Sequence, residues 1–146
     1  MKKILFIGNY NRYNIKFSLD LLKKNNEYDI ELLSNIEKIY EKKDMYALII
    51  IDIEFNNRKG DLICKNIRYK YRKIPIVGIY ANYDSQSRLN KFDLTKFNNI
   101  VSLPVLNWKE VFDECYLPCM WSKKKWEEWV FKEKTLSSNY RKNAYI

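Results

Sequence analysis

The chain has 146 residues and carries a formal net charge of +9, from 27 lysines and arginines against 18 acids, with no histidine. That length suits one domain of roughly 100–200 residues, and 47% hydrophobic with 16% aromatic content supplies a core and argues against disorder over most of it. Without His there is no His general base, no Ser-His-Asp triad and no His metal ligand, and three glycines with three prolines leave little room for a turn-rich all-β fold.

The cysteines, Cys64, Cys115 and Cys119, are odd in number and have no C-x-x-C spacing. A disulfide framework or zinc ribbon is therefore not expected, and buried thiols are. The apolar run after Met1-Lys2-Lys3 is too short for a signal-peptide core. No stretch approaches the ~20 apolar residues of a membrane span. The expected location is the cytoplasm, with neither cofactor nor metal.

Apolar runs of strand length alternate with stretches of helical period. Residues 4–7 form a short apolar run closed by Gly8-Asn9, which predicts a buried strand and a turn. Over 14–24, Ile15, Leu19 and Leu22 follow i, i+4, i+7 and predict a helix that buries one face. Residues 28–32 alternate with period two, as a half-buried edge strand does, and Ser34 is placed to cap a short helix with Ile36, Ile39 and Tyr40. Residues 46–53 are a nearly continuous β-branched run, the pattern of a central parallel strand covered on both faces. A helix follows over 61–71, with Leu62, Ile63, Ile67 and Tyr71 as its apolar positions. Residues 74–80 predict another buried strand, with Pro75 near its start where a ladder donor is dispensable. Asp84 or Ser85 is expected to cap a helix carrying Leu89, Phe92 and Phe97. A fifth strand over 100–103 is stopped by Pro104, and a fifth helix over 108–116 turns Val111, Phe112 and Cys115 inward. The alternation predicts a doubly wound α/β fold, a five-stranded parallel sheet between helical layers. It ends near 117, so 1–117 is expected to be one domain and 118–146 an extension.

In an open doubly wound sheet, ligands bind beyond the carboxyl ends of the strands. That rule selects Gly8, Asn9, Asp52, Glu54, Tyr80, Leu103 and Pro104 as crevice residues. Asp52 closes the most apolar strand, where a carboxylate is desolvated enough to be tuned and exposed enough to react. Its other reading is a loop cap that accepts backbone N–H bonds.

Residues 45–68 resemble the receiver domain of bacterial two-component response regulators. Ile49-Ile50-Ile51-Asp52 matches the strand and phospho-accepting Asp, Gly60 falls eight residues on, and 61–68 match the helix that follows. The strands at 74–77 and before Pro104 arrive at the expected distances, so the resemblance spans about residues 2–117. It implies a flavodoxin-like sheet of order 2-1-3-4-5, with an extra C-terminal helical segment in this chain. It also implies a role in signal transduction or transcriptional control rather than catalysis, with a sensor kinase, a protein partner or a second copy as the other party. The chain departs from the pattern where receivers hold Mg²⁺ and phosphate. Gly8 and Asn9 replace the two acids after the first strand, Tyr80 replaces the Ser or Thr of the fourth, Leu103 replaces the Lys before Pro104, and Ile100 stands at the aromatic switch position. The resemblance therefore implies an atypical receiver that does not take phosphate on Asp52 by the metal-dependent route. The face receivers use for contacts would present Arg88, Lys91, Lys96, Trp108, Lys109 and Asp113.

Two basic regions remain. Lys65, Arg68, Lys70, Arg72 and Lys73 interleave with Tyr69 and Tyr71, a pattern that suits nucleic acid and equally a solvated helix end. Residues 118–146 carry +4, with Trp121, Trp126 and Trp129 beside Lys123-Lys124-Lys125. The tryptophans suit packing on the domain, a partner interface or a linker start. A function of another class is anion or nucleotide binding by the backbone amides of Gly8, Asn9, Tyr10 and Asn11.

Overall fold

A computed structural model of the chain describes residues 2–25, 27–41, 46–55, 59–81 and 92–115. The elements in order are β1 (Lys2–Ile7), α1 (Tyr13–Lys23), β2 (Tyr28–Leu33), a 3-10 helix (Ile36–Glu41), β3 (Leu48–Asp52), α2 (Gly60–Lys70), β4 (Ile76–Tyr80), β5 (Asn99–Ser102) and α3 (Trp108–Cys115). The strands form one parallel sheet in the order β2-β1-β3-β4-β5. This is the doubly wound arrangement expected from the alternation, in the strand order that the resemblance implies.

Strand parity divides the core in two. Ile4 and Phe6 of β1, Leu48 and Ile50 of β3, and Val77 and Ile79 of β4 pack with Ile15, Leu19 and Leu22 of α1 and with Trp108, Val111, Phe112 and Cys115 of α3. The intervening positions, Leu5, Ile7, Ile49, Ile51 and Ile76, pack with Ile39 of the 3-10 helix and Ile63, Cys64 and Ile67 of α2. Full burial of each such aliphatic side chain contributes roughly 1.5–3 kcal/mol against solvent exposure. Burial on both faces is what the unbroken Leu-Ile-Ile-Ile run of β3 requires.

Several local expectations are corrected. Asn35, not Ser34, caps the 3-10 helix: its Oδ1 accepts from the Glu37 N–H at 3.1 Å. In β2 the alternation does not yield a clean buried face, because Leu32 at the sheet edge is 43% exposed while Leu33 is buried. Leu62 turns outward and Cys64 takes the inward place on α2, since the helix begins at Gly60 and its buried stripe runs through Ile63, Cys64 and Ile67. Phe92 and Phe97 are core residues as expected, but the chain around Phe97 is a turn, closed by the Phe97 N–H to the Leu94 carbonyl at 3.3 Å. The helix expected after Asp84, and the whole segment 118–146 with its expected helix, lie outside the described residues. No helix among the described residues is long and apolar enough to cross a membrane.

Candidate functional site

The parallel register sets Ile7 of β1 beside Ile51 of β3, so the loop after β1 and the carboxyl end of β3 share one rim of the sheet. Gly8 is required at this meeting point. A Cβ there would lie 2.8 Å from the Asp52 Cβ and 2.7 Å from the Phe6 ring. The loop then turns on Asn9, whose Oδ1 accepts from the Asn11 N–H at 3.0 Å and whose carbonyl accepts from the Arg12 N–H at 3.3 Å.

That turn delivers Arg12. It is the N-cap residue of α1, in extended conformation, and its side chain makes no cap bond. Instead Arg12 Nη1 donates to Asp52 Oδ2 at 2.8 Å. The other carboxylate oxygen, Oδ1, accepts from the Glu54 N–H at 3.1 Å. Asp52 is 1% exposed and the Arg12 side chain 33%. Burial pushes the Asp52 carboxyl above its ordinary range; the Arg12 charge and hydrogen bond and the Glu54 N–H pull it back, and the Glu54 carboxylate adds to the rise. Desolvation wins because a single, part-exposed guanidinium replaces only some of the water the carboxylate has lost.

Behind Asp52, the Gly60 N–H donates to the Ile53 carbonyl at 3.0 Å. A Cβ on Gly60 would lie 2.4 Å from that carbonyl oxygen. The glycine eight residues after Asp52 therefore serves a close backbone approach that sets the α2 start against the end of β3.

The other expected crevice residues divide. Glu54 is partly exposed and reaches Asp52 through its backbone. Tyr80 and Leu103 are buried in the two core layers, on opposite faces of the sheet. The Leu103 N–H bonds the Tyr80 carbonyl at 2.8 Å. Pro104 is exposed and follows Leu103 through a cis peptide bond. Leu103 has no polar side-chain group to offer Asp52 in place of the usual ammonium.

Arg12 is a residue of this site that the sequence pattern does not single out. A cation five residues past the end of the β1 run, with β1 adjacent to β3, was the available signal. Magnesium, which receivers hold at this place, does not fit the residues present. It prefers several carboxylate and water oxygens, whereas here Arg12 covers one Asp52 oxygen and a backbone N–H the other. Among the described residues no cluster of three acidic or thiol groups exists that could hold a metal ion.

Away from the crevice, Trp108 is not a surface contact residue as expected. It is 6% exposed, its indole N–H donates to the Ser18 carbonyl at 2.7 Å, and its ring packs on Phe112. An indole at the start of an amphipathic helix finds more apolar area and a hydrogen-bond acceptor inside than at the surface. Lys109 and Asp113 of α3 are exposed, and Lys96 is partly so. Arg88, Lys91, Trp121, Trp126, Trp129 and Cys119 lie outside the described residues. Cys64 and Cys115 are buried, as expected of structural thiols, and burial pushes both thiols up to about 12.

The basic run after α2 is reorganised. Arg68 is buried and its guanidinium donates to the carbonyls of Ile74 at 2.7 Å and Lys96 at 2.8 Å and to Asn98 Oδ1 at 2.7 Å. Lys70 donates to the Ile39 carbonyl at 2.8 Å. Lys65 and Arg72 remain outward and meet Lys96 and Tyr69 around one cavity, which Lys73 does not line.

No protein-family model matches the sequence, and no curated protein does. Solved structures match with high similarity of fold. A two-component response regulator from Clostridium difficile superposes with a TM-score of 0.57 at 26% identity, over 78% of this chain and 92% of that one. The response regulator TrrA from Thermotoga maritima, in complex with Mg²⁺ and BeF, gives 0.56 at 23% identity, over 78% and 96%. The chemotaxis response regulator CheY4 of Vibrio cholerae gives 0.58 at 16% identity, over 78% and 98%. The sheet order agrees with these likenesses, and the chain thus has the receiver-domain fold of two-component response regulators.

Proposed function

We propose that this chain is a non-enzymatic regulatory module that signals through protein contacts and does not use Mg²⁺-dependent phosphorylation of Asp52. The receiver fold supports a response-regulator role. The observation that carries the rest is the Arg12–Asp52 ion pair at 2.8 Å. Phosphoryl transfer to a carboxylate requires a free oxygen in line with the donor and cations that neutralise the phosphoryl oxygens. Here Asp52 Oδ2 is already bonded to Arg12, Oδ1 accepts from the Glu54 N–H, and the carboxylate is 1% exposed. A built-in cation in place of an exchangeable one holds the rim in one arrangement. Regulation would then follow differential binding of a partner to one state of the module. Lys109 and Asp113 on the outward side of α3, together with Lys96, are the contact residues on that reading. A partner protein or a second copy of the chain would meet them.

The anion-binding alternative at loop 8–11 is not favoured. The Gly8 N–H bonds the Leu33 carbonyl at 3.2 Å and the Asn11 N–H bonds Asn9 Oδ1, so two of the loop's amides are already occupied.

The test is incubation of the chain with acetyl phosphate, or with beryllofluoride, and Mg²⁺, followed by intact-mass measurement and fluorine NMR. No adduct is expected. A stoichiometric adduct on Asp52 refutes the proposal.

A further inference from the structure

The cavity at the far end of α2 shares only Lys96 with the reading above. It measures about 290 Å³ and is lined by Lys65, Arg68, Tyr69, Arg72 and Lys96. It lies at the opposite end of the sheet from Asp52, because Ile74 and Lys96 lead into the amino ends of β4 and β5 while Asp52 closes β3.

Three features make it a built surface. First, Arg68 is a clamp. Its guanidinium gathers the carbonyls of Ile74 and Lys96 and the side chain of Asn98, with longer bonds to the carbonyls of Tyr71 and Arg72. Asn98 Oδ1 also accepts from the Ile76 N–H at 2.9 Å. Arg72 and Lys96 arrive from two chain segments and are fixed beside the helix end by their own backbones, which leaves their side chains outward. Second, Tyr69 is 72% exposed, the most exposed of the large apolar side chains described. Third, cations line the same cavity as that ring: Lys65 four residues before it in the chain, Arg72 three residues after it, and Lys96 from the segment before β5. Of the carboxylates nearby, Asp93 is charge-coupled to Lys65 and Lys96 and accepts from Thr95, and Asp61 Oδ2 accepts from the Asp93 N–H, so three cations face one directly coupled acid.

An exposed aromatic ring sharing a cavity with three outward cations suits single-stranded nucleic acid, with a base on the ring and phosphates on the cations. An acidic peptide would use the cations alone and leave the tyrosine ring exposed. We propose that this surface binds single-stranded RNA or DNA without strong sequence preference, one base stacking on Tyr69 and the flanking phosphates meeting Lys65, Arg72 and Lys96.

The test is fluorescence anisotropy of a labelled oligouridylate of about twelve nucleotides against the full chain across a salt series, with circular dichroism to verify each variant's fold. Binding is expected, with a log-log salt slope near −2, as about 0.7 per neutralised phosphate gives for three contacts. Tyr69→Ala should weaken binding about tenfold and Tyr69→Phe should restore it, since the ring and not the hydroxyl stacks. Lys65→Gln, Arg72→Gln and Lys96→Gln combined should flatten the slope to near zero. Lys123→Gln, Lys124→Gln and Lys125→Gln combined should leave binding at Tyr69 intact. The proposal is overturned by absence of binding at low salt, by loss of binding in the tail variant alone, or by polyglutamate competing equally well with no effect of Tyr69→Ala.

Discussion

Replacing Arg12 by Met removes the charge opposite Asp52 while keeping much of the stem. Across 2.8 Å the attraction of two unit charges is about 6 kcal/mol at an effective dielectric of about 20 and about 1.5 kcal/mol in water. Asp52 is fully enclosed, which favours the larger figure. Arg12 is one third exposed, and hydration of the free guanidinium offsets part of it. The expected loss at about pH 7 is about 2–3 kcal/mol, below the usual range for breaking a fully buried pair. Urea unfolding followed by far-ultraviolet circular dichroism reads it directly. The pH dependence gives a second check. Arg12 is one of the causes that lower the Asp52 pKa, so without it the carboxyl titrates higher still. The gap between parent and variant is therefore complete well above the raised folded pKa of Asp52. It closes as the pH falls through that pKa, because a neutral carboxyl has no charge to pair. A loss under about 0.5 kcal/mol at neutral pH, or a gap that persists unchanged near pH 3, would refute the assignment of Arg12 as the working counter-ion.

The pair should also be asymmetric. Burial holds the folded pKa of Asp52 above the ordinary value of 3.8, so its contribution to stability is greatest below that value and falls as pH rises through the folded pKa. Asp52→Asn should consequently leave stability at about pH 7 unchanged or raise it by up to about 1 kcal/mol; a loss beyond about 2 kcal/mol contradicts this. Gly60→Ala places a Cβ against the Ile53 carbonyl oxygen, a backbone atom that cannot swing away, and should destabilise by about 2 kcal/mol or more in the same urea titration. Arg68→Met strips donors from the carbonyls of Ile74 and Lys96 and from Asn98, for an expected loss of about 3–5 kcal/mol in thermal or urea unfolding. In a Cys119→Ser background, Cys64 and Cys115, with thiols pushed up to about 12, should react with a disulfide reagent only as the chain unfolds. Prompt modification of the native chain would contradict their burial.

The sequence by itself determined the layer order. An Ile-rich run with no polar interruption has to be covered on both faces, and helix-period stretches between such runs supply the cover. The five parallel strands follow from that periodicity, and the glycine eight residues after Asp52 was legible through the family resemblance. On α3 the inward places of Val111, Phe112 and Cys115 were also legible from their spacing, although that of Trp108 was not. Boundaries and caps were less so. Asn35 and Ser34 are both good caps in isolation, and Leu62 and Cys64 both fit an apolar stripe until the helix start at Gly60 sets the phase.

What only the tertiary structure decided is which charges meet. Arg12 and Asp52 are 40 residues apart, and nothing in either local pattern pairs them. They meet because β1 and β3 are neighbours in the sheet and the Asn9 turn aims the start of α1 across the rim. Trp108 looked like a surface anchor by residue type, and the α1–α3 packing turned it inward onto Ser18. The basic run on α2 was legible as charge but not as geometry. Folding took Arg68 and Lys70 for carbonyl oxygens and brought in Lys96, 24 residues beyond Arg72. Hydrophobic period is a property of short stretches, so one sequence reveals it. Ion pairs and basic surfaces are properties of the packed chain, because each depends on where distant backbone segments come to rest.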